Sequence, residues 1–147
     1  MKNEIVIIDY GMGNLHSVSK AVEAVGAVPI VTAEKRVIAA AEKIILPGVG
    51  AFGDCMKNLQ ATGLVPELIK HIKSGKGFLG ICLGMQLLFE SSEESSGVAG
   101  LGIFKGAVKR LTTEYKVPHM GWNRLKLKAA SPLITAADGS YVYFVHS

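Results

Sequence analysis

Cys82 is the side chain of this sequence best placed to do chemistry. It lies in Gly80-Ile81-Cys82-Leu83-Gly84, after the apolar run Gly77-Phe78-Leu79 and just before Met85-Gln86. Such a run predicts a buried strand over 77–81, a sharp turn at Cys82, and a helix from Leu83 or Gly84 to about Glu90. A thiol at that apex is presented like the serine of a Gly-x-Ser-x-Gly elbow. Glycine on either side admits close neighbouring backbone, and the apex residue itself is expected to be strained. Unpaired N–H groups at the start of the helix would favour thiolate at Cys82. The same five residues also fit an inert, buried cysteine in a tight strand–helix turn, and the motif alone leaves both readings open.

Two other stretches carry glycines at spacings that chemistry uses. Pro47-Gly48-Val49-Gly50 follows an apolar run and reads as a strand-ending turn or as a backbone donor loop. Gly11 and Gly13 invite a dinucleotide-binding reading, but His16 replaces the third glycine and argues against it. Asn14 suits the N-cap of a helix. Among the histidines, His71 sits with lysines on an amphipathic stretch and is expected to be solvated, and His16 falls in the first helix.

The elements that must position these residues alternate. Strands are expected at 5–9, 28–31, 43–46 and 77–81. Helices are expected at 14–25, 34–41, from an Asp54 cap to Ala61, and at 64–73. Continuous apolar strands separated by helices argue for a parallel sheet covered on both faces. The crevice beyond the carboxyl ends of such strands collects the loops 10–14, 47–51 and 81–84. After the acidic, serine-rich stretch 91–97 the pattern changes. Strands at 101–104, 107–111, 122–128 and 141–146 follow in hairpin or mixed arrangement, with alternation in Arg124-Leu125-Lys126-Leu127-Lys128.

The length of 147 residues, with 49% hydrophobic and 19% charged residues, fits one α/β domain with a proper core. A net charge of +4, scattered along the chain, gives no dense basic cluster for nucleic acid. No signal-peptide pattern opens the sequence and no apolar run is long enough to span a membrane, so a cytoplasmic protein is expected. Two cysteines imply no disulfide framework.

Asp9-Tyr10-Gly11-Met12-Gly13-Asn14, Pro47-Gly48-Val49-Gly50-Ala51-Phe52, Gly80-Ile81-Cys82-Leu83-Gly84-Met85-Gln86 and Pro118-His119-Met120-Gly121-Trp122-Asn123, with Tyr143-Phe144-Val145-His146-Ser147, resemble the class I glutamine amidotransferases. The resemblance runs in order from residue 4 to the last. The His-Met-Gly-Trp-Asn segment is most similar to the subfamily of glutaminase subunits of imidazole glycerol phosphate synthase, an enzyme of histidine biosynthesis. The resemblance implies a three-layer αβα fold with a mostly parallel central sheet, a nucleophile elbow and a more antiparallel C-terminal part. Residues 1–147 would form a single domain, incomplete at its C-terminal end, since an apolar last strand lacks cover.

By the same resemblance, Cys82 attacks the side-chain amide of glutamine, giving a γ-glutamyl thioester and ammonia. Backbone N–H groups of Leu83 and Val49 would hold the oxyanion, after a peptide flip near Val49. Gly50, Gln86 and Ser147 would hold the α-amino and carboxylate groups of glutamine. Asn14, Trp122 and Tyr143 would face the cyclase subunit of a heterodimer, which receives the ammonia directly; Trp122 as a core aromatic is the alternative. No cofactor or metal is implied. His119 and His146 match positions that are structural or near the subunit interface. The family's base lies in a His-x-Glu pair, and no histidine here is followed two residues later by Glu. These 147 residues taken literally are therefore expected to lack useful glutaminase activity. A glutaminase feeding another synthase, such as that of pyridoxal phosphate synthesis, and a non-catalytic partner-binding module are the alternatives.

Overall fold

The computed structural model describes residues 3–147. The chain forms two compact units, Met1–Lys109 and Arg110–Ser147. In the first, β1 (Glu4–Ile8), β2 (Val28–Thr32), β3 (Lys43–Leu46) and β4 (Gly77–Gly80) make a parallel sheet in the order β2-β1-β3-β4. Side chains of a strand alternate between faces. Ile7 and Ile45 accordingly pack with Val22 of α1 (Leu15–Ala24), while Val6, Ile8, Ile44 and Leu46 join a separate, larger cluster on the other face. That cluster takes in Ile38 of α2 (Lys35–Ala40), Phe52, Met56 and Leu59 of α3 (Phe52–Ala61), and Leu68 of α4 (Val65–Lys73). Both faces are covered, as the continuous apolar strands require.

Four expectations about this unit need correction. Asp54 does not cap α3; Ala51 occupies the cap position and makes no side-chain bond, while Asp54 lies in the first turn. His71 is not solvated. It is 5% exposed, and its Nε2–H donates to Gly77 O at 3.0 Å, tying α4 to the start of β4. The helix after Cys82, α5, spans only Leu83–Gln86, and Phe89–Ser92 is a strand, β5. The carbonyls of Leu87, Leu88 and Phe89 are drawn off by the N–H groups of Leu101, Ile103 and Gly102, which a longer helix would forbid. Finally β6, Phe104–Val108, pairs in parallel with β5 and replaces the two strands expected at 101–104 and 107–111.

The second unit is built on β7 (His119–Arg124) and β8 (Tyr141–His146), paired antiparallel from His119↔His146 to Arg124↔Tyr141. The strand expected at 122–128 thus starts earlier and ends at Arg124. Beyond it, Leu125 N–H bonds to Ser140 O, and Leu127 N–H bonds to the Asp138 carboxylate. A 3-10 turn at Thr135–Ala137 completes the connection. No helix among the described residues is long and apolar enough to cross a membrane.

Candidate active site

Cys82 sits between β4 and α5 with φ 53° and ψ −118°, the only non-glycine residue at positive φ among the described residues. Its flanking glycines are sterically required. A Cβ on Gly84 would lie 1.8 Å from Leu46 O, and one on Gly80 would lie 2.6 Å from the Met85 backbone. The elbow is therefore wedged against the end of β3, where Ile81 N–H also bonds to Leu46 O at 3.0 Å. Cys82 is exposed and Cys55 is buried, so the buried core cysteine of this unit is Cys55.

α5 is a single turn, too short to act as a macrodipole. What it offers the sulfur is local. The N–H groups of Gly84, Met85 and Gln86 are bonded to the carbonyls of Ile81 and Cys82, leaving Leu83 N–H as the first of the turn with no carbonyl partner. Gln86 lies half-buried at the other end of the turn.

The Pro47-Gly48-Val49-Gly50 turn presses on this elbow. A Cβ on Gly48 would meet Gly84 N and Leu83 Cβ at 2.7 Å and the Tyr10 hydroxyl at 2.9 Å. Val49 and Gly50 are exposed. The Tyr10 hydroxyl, buried after β1, donates to Pro47 O at 2.7 Å, and the Cys55 thiol donates to Val49 O at 3.2 Å. Burial pushes both the Tyr10 phenol and the Cys55 thiol up from their ordinary values, so both stay protonated donors. Downstream, Phe52 N–H donates to the Glu94 carboxylate and Gly53 N–H to Ser95 Oγ, each at 3.0 Å. The cap of α3 thus comes from a loop some forty residues away.

Sequence reading passed over Tyr10, Cys55 and Glu94. Tyr10 was legible as a residue of a crevice loop. Cys55 and Glu94 became visible only once the chain was folded, because their partners are backbone groups with no sequence signature.

Asn14 caps α1, its Oδ1 accepting Ser17 N–H at 3.1 Å, and is exposed. Trp122, Tyr143 and Ser147 belong to the second unit. Trp122 and Tyr143 face each other across the β7–β8 ladder with ring centroids 5.7 Å apart, and are 71% and 54% exposed, so Trp122 is not a core aromatic. His119 Nδ1 and His146 Nε2 lie 2.9 Å apart, within hydrogen-bond distance across the ladder. Ser147 follows β8 directly.

Over residues 6–147 the sequence matches the family described as glutamine amidotransferase class-I. The chain belongs to the class I glutamine amidotransferases. This amidotransferase is 55% identical over 144 residues to the imidazole glycerol phosphate synthase subunit HisH of Aquifex aeolicus (strain VF5), across 97% of this chain and 70% of that protein. It is 52% identical over 149 residues to the subunit of the same name from Bacillus subtilis (strain 168), with the same coverage of each chain. A solved structure described as a glutamine amidotransferase superposes with a TM-score of 0.72, at 18% identity, over 95% of this chain and 70% of that one. That likeness speaks for the fold: the α/β architecture with a mostly parallel sheet is that of a class I glutamine amidotransferase.

Proposed function

We propose that this amidotransferase is the glutaminase subunit of an imidazole glycerol phosphate synthase, serving histidine biosynthesis in the cytoplasm as one half of a heterodimer. Residues 1–147 belong to one amidotransferase domain, and both compact units are parts of it. Cys82 Sγ attacks the side-chain amide carbon of glutamine; the thiol proton passes to the amide nitrogen, the C–N bond breaks and ammonia leaves, and water then hydrolyses the thioester to glutamate and returns the thiol. The oxyanion is held by the N–H groups of Leu83 and Val49, the first unbonded in its turn and the second in the turn pressed on the elbow. Gly50, Gln86 and Ser147 hold the α-amino and carboxylate groups of glutamine. Asn14, Trp122 and Tyr143 meet the cyclase subunit, and the exposed Trp122–Tyr143 pair offers it an apolar, aromatic surface. Direct transfer suits the chemistry, because ammonia released to water becomes ammonium and loses its lone pair.

The observation that carries this reading is the backbone of Cys82. Positive φ at an exposed thiol, on a strand-to-helix apex closed by two glycines that tolerate no Cβ, is strain without structural benefit, as expected of a nucleophile. Cys82→Ala or Cys82→Ser in the full-length protein is expected to lower glutamine hydrolysis by roughly 10⁴-fold or more while leaving the complex with a histidine-pathway cyclase intact. Hydrolysis retained in either variant would overturn the assignment. The base is sought outside His16, His71, His119 and His146, none of which has Glu two residues on.

A further inference from the structure

Three peptide units lie within Pro47-Gly48-Val49-Gly50. The carbonyl of the first, Pro47 O, is held by the Tyr10 hydroxyl; the carbonyl of the third, Val49 O, is held by the Cys55 thiol. Both donors are buried, 4% and 0% exposed, and each also adjoins the other. Among the described residues no hydrogen bond engages the middle unit, Gly48 C=O and Val49 N–H.

We propose that Tyr10 and Cys55 are positioning residues, a pair of buried donors that clamps the outer two peptides of this turn and confines its freedom to the Gly48–Val49 peptide. In a trans peptide the C=O and N–H point in opposite directions. Fixing Pro47 O and Val49 O therefore fixes where the N–H groups of Gly48 and Gly50 point. The middle unit can still turn about the bonds on either side of it without breaking either clamp. Nor can the turn shift as a body toward the elbow, since Gly48 already lies against Gly84 and Leu83. Pro47 is buried, and a carbonyl buried without its donor is costly, while Val49 O accepts from a thiol that is itself buried; each clamp thus opposes rotation of its own peptide. The geometry assigns mobility to the one peptide that carries the Val49 N–H. The catalytic part of this inference rests on the glutaminase reading; the clamp itself does not.

The test uses Tyr10→Phe, Cys55→Ala and Cys55→Ser in the full-length protein with its cyclase. Serine keeps a donor at residue 55 and alanine does not. Tyr10→Phe and Cys55→Ala are expected to lower kcat about tenfold, less than the roughly 100-fold loss of a whole oxyanion donor, with the KM for glutamine within about twofold. Cys55→Ser is expected to restore most of kcat. In NMR relaxation dispersion of the parent, exchange broadening is expected at the Val49 amide and not at Gly48 or Gly50; in the two donor-less variants it is expected to spread to Gly48 and Gly50 while α3 and β3 stay quiet. Unchanged kcat in both variants, or a Cys55→Ser variant no better than Cys55→Ala, overturns the positioning role. Broadening that leaves Gly48 and Gly50 quiet in both variants, or that spreads throughout α3 and β3, overturns the clamp. If the parent protein with its cyclase hydrolyses no glutamine, the glutaminase reading falls, and the relaxation dispersion alone decides the clamp.

Discussion

Gly84 is where a single atom decides the site. An added Cβ would stand 1.8 Å from Leu46 O, a backbone atom that cannot swing aside. Gly84→Ala is expected to cost about 3 kcal/mol or more, read as a lower denaturant midpoint, with loss of the elbow geometry. Tyr10 and Cys55 set a different signature. Their folded-state pKa values are raised by burial above the ordinary 10.0 and 9.0, so the folded chain keeps protons that the unfolded chain surrenders. Below pH 9.0 both states hold these protons and the pair contributes no pH dependence. As pH climbs past 9.0 and then 10.0, the unfolded state gains, and stability declines until the folded groups titrate in turn. Thermal melts between pH 8 and 10.5 are expected to show that decline, and Cys55→Ala to flatten it. A parent protein with a flat profile would contradict the buried, protonated pair.

Among the elements, α3 is the one whose start is held from outside. Glu94 and Ser95 accept the first N–H groups of the helix, while its own Asp54 does not. Glu94→Ala is expected to lower stability by about 1 kcal/mol, visible as a lower melting temperature, with Asp54→Ala nearer neutral. A larger effect at Asp54 would reverse the assignment. The parallel core was legible beforehand because runs such as Ile5-Val6-Ile7-Ile8 and Lys43-Ile44-Ile45-Leu46 admit no other burial on both faces. The Cys82 elbow was legible because its glycines are a steric statement made locally. The extent of α5 was not. Leu83, Leu87 and Leu88 read as a continuing helix face, and only the N–H groups donated by residues 101–104 to the carbonyls of Leu87, Leu88 and Phe89 stop it after one turn. His71 was misjudged for the same reason: its lysine neighbours describe the exposed side of α4, while its partner is a carbonyl on β4.

For the molecule as a whole, apolar burial is uneven. The two clusters of buried residues lie within Met1–Lys109, whereas no residue of 110–147 is buried. Two paired strands that bury none of their own residues are marginal in water. Native-state hydrogen exchange is therefore expected to be slowest in β1 and β3 and fast throughout β7 and β8 in the free protein. Slowing of the hairpin amides on adding a histidine-pathway cyclase would locate the aromatic face in the proposed complex, and equal protection of both units in the free chain would contradict the uneven core. The strain at Cys82 bears on the same global stability. Glycine adopts φ 53° without penalty, and the Cys82 side chain is exposed, so Cys82→Gly is expected to stabilise the fold by about 1 kcal/mol. A library selected only for survival at high temperature would then enrich glycine at this position, and with it proteins that have exchanged an exposed thiol for heat resistance.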